Sequence, residues 1–206
     1  MNAVTDNPII FPDDEASISA GNFHGQPMAL PFDFMKIGLA ELANISERRL
    51  EKMVNPALNH GLPAFLTTHG GVNSGFMIVQ YAAAALVSEN KVLAHPASVD
   101  SIPSSANQED HVSMGTIAAR QAREIYENAR KVLAMELLAA AQAIDIHESK
   151  DKLSEGTRAC YDIIRKHSDY IDLDRVMNLE IEKVDDLLED GSIVKAVEEA
   201  IGNLRV

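Results

Sequence analysis

Apolar side chains recur every three to four residues over three long stretches of this chain, separated by polar, proline-bearing or glycine-bearing segments, which predicts helices joined by irregular connections. The first stretch runs from Asn22 to about Val54, with Met35, Leu39, Leu42, Ile45 and Leu50 on the expected inner face. Arg48, Arg49, Glu51 and Lys52 mark a solvated face, and Pro27 and Pro31 fit only in the first turns or at a bend. Asn55-Pro56 ends this helix, and His60 to Gly71 reads as an extended connection. A second helix is predicted from Gly75 to about Leu93, capped by Asn73 or Ser74. It is apolar almost all round from Phe76 to Val87, a surface that belongs at the centre of a bundle. The third helix is predicted from Gln108 to about Ile144, ~55 Å at 1.5 Å per residue. Its first half is amphipathic, with Arg120, Arg123, Glu124, Glu127 and Arg130 outward, and its second half is rich in Ala and Leu.

The two ends read differently. Met1 to Ser19 is a loop, with short β-favouring pieces at Ile9 to Phe11 and Ser17 to Ser19 that allow a small hairpin. Residues 151–206 carry 14 acids against 8 bases, with helices predicted at Ser154 to His167, Leu179 to Glu189 and Ser192 to Leu204. Gly191 separates the last two as a C-cap and Ser192 is a natural N-cap. The fold class is therefore all-α: a long-helix bundle over residues 1–150, a smaller acidic helical cap over 151–206, and a short irregular or hairpin segment at the start.

Composition narrows the functions. At 206 residues and 46% apolar the chain forms a globular core of one domain or one and a fraction. A formal charge of −13, from 18 Lys plus Arg against 31 acids, excludes a nucleic-acid partner, which needs a basic face. Cys160 stands alone, which fits a small core residue in a reducing cytoplasm. Asp6, Pro8 and Pro12 interrupt any leader-like apolar run, so no signal peptide is expected. The run from Phe76 to Val87 is shorter than the roughly 20 residues a bilayer requires, so no membrane span is expected. Two apolar helices of this length exceed what one such monomer covers, which points to subunit association.

The chemistry concentrates between His95 and Gly115, where two prolines, five serines and an Asn-Gln-Glu-Asp-His cluster lie between long apolar segments. Asn107 is a good N-cap and Asp110 can answer it, which starts the third helix near Gln108 and puts Gln108, Glu109 and His111 on its first turn. A carboxylate is favoured at such a helix start, so Glu109 can accept from an imidazole N–H or handle an amine proton. Gln108 and Asn107 offer amides that bind a substrate carboxylate, orient Glu109, or simply cap the helix. Phe23 lies between Asn22 and His24; a single Phe at a helix start is otherwise a core residue. His24 and His111 read as structural histidines. His95, Glu109 and His111 have metal-ligand types but no standard ligand spacing, so no metal is expected. Gly70 to Gly75 lacks both a preceding strand and a Gly-Lys-Ser/Thr ending, which argues against a phosphate loop.

The string Ser-Ala-Asn-Gln-Glu-Asp-His-Val-Ser-Met-Gly, with His-Pro-Ala-Ser-Val-Asp-Ser-Ile-Pro ahead of it, resembles the signature of the histidine ammonia-lyases. The likeness takes in Val4-Thr5-Asp6-Asn7-Pro8, Gly21 to Gly25, Ile45 to Arg49 and Asn73 to Met77, and persists to about Asp145. The resemblance implies an L-aspartase-like helical fold, a tetramer around a central bundle, and non-oxidative deamination of L-histidine to urocanate and ammonia. It implies a pocket acid at Glu109 and a pocket aromatic at Phe23. The related phenylalanine and tyrosine lyases usually lack that acid, which points to histidine as substrate. The family forms its electrophile, a methylidene-imidazolone group (MIO), from an internal Ala-Ser-Gly, and holds the substrate carboxylate with the arginine of a Tyr-Ser-x-Arg segment. Neither string occurs here, and the likeness is to the C-terminal two-fifths or so of a full enzyme. The chain alone is therefore expected to be inactive, with the N-terminal half supplied by an upstream portion or a second polypeptide. The alternatives are a truncated remnant or accessory subunit that has lost catalysis, and a fragment of a Phe/Tyr ammonia-lyase.

Overall fold

The structure, a computed structural model, describes Ala3 and residues 5–204; Val4, in the first of the strings above, lies outside the described residues. Strands β1 (Ile9–Phe11) and β2 (Ala16–Ile18) pair antiparallel with Ile9 opposite Ile18, around a 3-10 turn at Pro12–Asp14. The expected hairpin is present, its second strand one residue early. Among the described residues six α-helices follow: α1 (Gln26–Val54), α2 (Met77–Leu93), α3 (Gly115–Ile146), α4 (Glu155–His167), α5 (Met177–Glu189) and α6 (Ser192–Ile201). The chain forms two compact units, residues 1–38 with 93–125, and residues 39–92 with 126–206. Among the described residues no helix is long and apolar enough to cross a membrane.

The second unit is built on the Ala/Leu-rich half of α3. Val132, Ala134, Met135, Leu138, Ala139 and Ala141 are buried there, because alternating small and large apolar residues let neighbouring helices approach closely. Around them pack Leu50 and Val54 of α1, Phe76 beside the start of α2, Val79 and Ala83 within it, Tyr161 and Ile164 of α4, and Val184 and Leu187 of α5. Gln142, fully buried in α3, donates from Nε2 to the Ile171 carbonyl at 2.8 Å and accepts from the Ile171 N–H at 3.1 Å, so it ties an otherwise unpaired loop to the core. Cys160 packs half-buried against this core, and burial pushes its thiol up.

Four expectations are corrected. First, α1 begins at Gln26 rather than Asn22, because the Gln26 N–H is taken by the His24 ring and the Gly25 carbonyl accepts the amides of Met28 and Ala29. Second, its buried register is Ala29, Asp33, Lys36, Ala43, Glu47, Leu50 and Val54, while Met35, Leu42 and Ile45 are exposed. Four-three spacing selects the face, and that face carries charge; Phe34 is 80% and Leu42 64% exposed. Third, α2 is capped neither by Asn73 nor by Ser74. The Asp174 carboxylate, 100 residues away, accepts from the Ser74 and Gly75 N–H groups at 2.7 and 2.8 Å, and Asn73 Oδ1 returns the favour to the Asp174 N–H at 2.8 Å. Ile78 and Tyr81 of α2 face outward in this chain. Fourth, α5 begins at Met177, two residues before the predicted Leu179, and α6 ends at Ile201, before Leu204. Ser192 is the first residue of α6 and Gly191 its N-cap at φ +77°; the Asp190 carboxylate accepts the Ser192 N–H at 2.8 Å, and the Ser192 hydroxyl together with that N–H holds the acid below its usual range.

Leu138→Ala is expected to cost about 3 kcal/mol by leaving a cavity in the core. Phe34→Ala is expected to stay within about 0.5 kcal/mol for the chain on its own. Urea denaturation of the two variants measures the contrast.

Candidate active site

The predicted site residues all lie in the first unit. Between Leu93 and Gly115 the backbone is irregular apart from one antiparallel bridge, Ser104 with Glu109. Its polar groups are therefore satisfied by particular side chains rather than by a ladder.

One anchor is an ion pair inside α1. Asp33 and Lys36 are 4% and 0% exposed, with Lys36 Nζ 2.6 Å from Asp33 Oδ1. Lys36 Nζ also donates to the His95 carbonyl at 2.9 Å and to Gln121 Oε1 at 2.6 Å. Asp33 Oδ2 accepts the Ser98 N–H at 2.7 Å, and Gln26 Nε2 donates to the Ser98 carbonyl at 2.8 Å. Both backbone groups of Ser98 are thus fixed. Burial, the largest single influence, pushes the Asp33 carboxyl up, but the hydrogen bonds from Lys36 and Ser98 together outweigh it and hold the group at about 2.

The second anchor is His24. Its Nδ1 accepts the Gln26 N–H at 3.2 Å and its Nε2 meets the His111 carbonyl at 2.9 Å. The His24 and His111 rings stack at 5.3 Å and 16°, and Phe23 meets His24 edge-on at 6.3 Å. Gly25 and Gly115 face one another here: a Cβ on Gly115 would lie 3.2 Å from the Gly25 carbonyl.

The signature itself is a loop, which corrects the expected helix start. Ser105, Ala106 and Asn107 have φ of +53°, +54° and +70°, so Asn107 is no N-cap and Asp110 closes no capping box. Ser104 and Glu109 exchange both backbone hydrogen bonds, at 2.9 and 3.2 Å, and the Val112 N–H donates to Ser101 Oγ at 2.9 Å. With those amides claimed, α3 begins only at Gly115, and the field of its N-terminus is not what acts on Glu109. Asn107, Gln108 and Glu109 are exposed, Phe23 is 53% exposed, and among the described residues no hydrogen bond or ion pair engages the Glu109 carboxylate. The structure therefore gathers Phe23, His24 and His111, with Glu109 two residues from His111 on the same loop. Among the described residues no side-chain hydrogen bond joins Asn107 or Gln108 to that cluster.

His95 serves through its carbonyl, and among the described residues no three His, Cys, Asp or Glu side chains converge as a metal site. In the second unit a cleft of about 610 Å³ is lined by Ile78, Val79, Ala82, Met135, Met177 and Ile181 among others; none of the predicted site residues lines it. Sequence reasoning missed Gln26, Asp33, Lys36 and Ser98. The available signal was Asp33 and Lys36 one turn apart within an otherwise apolar stretch, a spacing that suits an internal ion pair.

An acid, two amides, two histidines and an aromatic ring on the irregular segments just before α1 and ahead of α3 define a helical scaffold that presents a polar loop. The aromatic amino acid lyase model matches residues 1–166, and the chain belongs to that family. It is similar to histidine ammonia-lyase 1 of Fusobacterium nucleatum, 66% identical over 204 residues, covering 99% of this chain and 40% of that protein. Among solved structures it is similar to the histidine ammonia-lyase of Trypanosoma cruzi, with 48% identity, TM-score 0.87 and coverage of 96% of this chain and 39% of that one. It is also similar to tyrosine aminomutase from Streptomyces globisporus, with 42% identity, TM-score 0.88 and coverage of 95% and 37%. The chain spans about two-fifths of the length of the curated relatives it matches.

Because Asp33 titrates at about 2 in the fold against an ordinary 3.8, its contribution is complete above about pH 4 and is lost as pH falls through 2. The loss amounts to about 2 kcal/mol. Asp33→Asn removes this dependence and leaves Lys36 buried without its counter-ion, at a cost of about 3 kcal/mol at neutral pH. Urea midpoints measured from pH 2 to 7 check both statements.

Proposed function

We propose that this chain is the C-terminal portion of a histidine ammonia-lyase and contributes part of the site at which L-histidine gives urocanate and ammonia. What carries the reading is its greater similarity to histidine ammonia-lyases than to tyrosine aminomutase, 48% against 42% among solved structures, with 66% to the Fusobacterium nucleatum enzyme. Glu109 accepts from the imidazole N–H of the substrate or takes an amine proton. Phe23 packs its exposed face against the flat substrate ring. Gln108 and Asn107 orient Glu109 or bind the substrate carboxylate.

The methylidene-imidazolone group supplies the electrophile for amine loss, and with no Ala-Ser-Gly in this chain it comes from the N-terminal half or a second polypeptide. The residues present fit that arrangement, since the Phe23 ring and the unengaged Glu109 carboxylate are both presented outward. Residues 1–150 supply central bundle helices and residues 151–206 a peripheral cap. Association into a tetramer-like bundle covers the apolar side chains that α1 and α2 expose. We place the protein in the cytoplasm on the strength of its lone Cys160.

The second reading is a remnant or accessory subunit without catalysis. Mixing the chain with the remaining three-fifths of the Fusobacterium nucleatum enzyme and following urocanate by its ultraviolet absorbance separates the two. The chain alone is expected to show no turnover and the mixture to show it. A mixture that is silent on histidine but acts on phenylalanine or tyrosine assigns the other lyase class. In an active mixture Glu109→Gln is expected to lower kcat by about 100-fold with an unchanged Tm, because the side chain is exposed and unpaired.

A further inference from the structure

We propose that His24 is a positioning residue that couples the Phe23 segment to the Glu109 loop, so that the aromatic ring and the carboxylate share one scaffold; the consequence for catalysis rests on the reading that those two side chains face the substrate. The backbone N–H of Gln26 can only donate, so His24 Nδ1 is a bare acceptor. Nε2 then carries the ring hydrogen and donates it to the His111 carbonyl, which lies 87 residues further along the chain. One neutral imidazole thus caps the start of α1 with one nitrogen and grips the signature loop with the other.

Three further features place the residue at a junction. The ring stacks on His111, Phe23 meets its edge, and the segments on either side close to glycine contact. A Cβ on Gly25 would stand 2.5 Å from Ser113 Oγ, which that hydroxyl relieves by rotating, whereas a Cβ on Gly115 would lie 3.2 Å from the Gly25 carbonyl, so the two backbones themselves are close there. No other side chain supplies an acceptor and a donor on opposite sides of one rigid ring; glutamine can keep the donor to His111 but offers its oxygen beside it, on a flexible stem.

Amide hydrogen exchange on the intact chain reads the coupling directly, at the hydrogen-bonded amides of Ser104, Gln108, Glu109 and Val112. His24→Ala is expected to speed exchange there about tenfold, the loss of one cross-segment hydrogen bond, while α4 to α6 stay protected. His24→Gln is expected to recover most of that protection. Unchanged rates in His24→Ala overturn the proposal. If that variant does not fold, His24→Phe, which keeps an aromatic ring beside His111 but loses both hydrogen bonds, is expected to give the same loss, and its failure to do so overturns the proposal equally.

In the complemented enzyme His24→Ala is expected to raise KM more than it lowers kcat, and to add nothing to Glu109→Gln. Additive effects overturn the coupling to Glu109. Exchange on the chain does not depend on which amino acid is the substrate. A mixture inactive on histidine with loosened exchange in His24→Ala therefore rejects the lyase reading alone, whereas an active mixture with unchanged exchange rejects the positioning role alone.

Discussion

A segment of some twenty residues without helix or strand must have its backbone polar groups satisfied one at a time, and that requirement governs the connection between α2 and α3. The groups that meet it come from elsewhere in the sequence: Asp33 and Gln26 on Ser98, Lys36 on His95, His24 on His111. Most of them lie in or just before the first turns of α1, so the loop inherits its position from the register of that helix. A one-residue slip of α1 would rotate Asp33 and Lys36 by about 100° and carry both off the loop. The value of the buried ion pair is best seen in this light. Two charges removed from water gain little net stability, but they tolerate very few geometries, and the few they tolerate fix Ser98 and His95.

The same register explains why α1 reads inside out. By turning Asp33, Lys36, Ser46 and Glu47 inward, it turns Leu30, Phe34, Ile37 and Leu42 outward. An apolar side chain of that size gains about 1.5–3 kcal/mol when taken out of water, so this face is a strong driving force for association with further polypeptide. The relatives are about two and a half times longer than the chain, since it covers 40% of the first of them. The apolar exposure on α1 is joined by Ile78 and Tyr81 on α2, and both faces favour burial against further polypeptide.

Local chemistry was legible where it decides structure locally. Asn55-Pro56 ends α1, the predicted bounds of α4 are right to a residue, and the β-branched pieces flanking Pro12 to Asp14 pair as a hairpin. What escaped depends on partners distant in sequence. Asn107 and Asp110 have the composition of a capping box, yet Ser104 and Ser101 claim the amides a helix would need, and the turn at 105–107 is left-handed. The α2 cap comes from Asp174, whose role no window around Ser74 contains. The apolar count along α1 points to the wrong face because the inward stripe includes matched charges, whose pairing hydropathy cannot register. The family was readable from the string, while the placement of Glu109 on a loop and the service of His24 to two segments were not.

On the proposed lyase reading, the exposure of Glu109 bears on where selectivity for a heteroaromatic amino acid would arise. In water a unit charge pair at 4 Å is worth about 1 kcal/mol, and at the effective dielectric of a covered protein site about 4 kcal/mol. A carboxylate standing in solvent, as Glu109 does in this chain, therefore distinguishes an imidazole from a benzene ring only weakly. The same carboxylate discriminates strongly once other polypeptide excludes water from it, because an unpaired buried acid penalises any ring that cannot donate to it. The loop that carries Glu109 is already pinned at Ser98, Ser101 and His111, so covering it requires little further ordering of its own backbone. On the proposed reading the chain holds Glu109 in a fixed place, and the discrimination it exerts depends on how completely water is excluded from it, independently of where the electrophile is made.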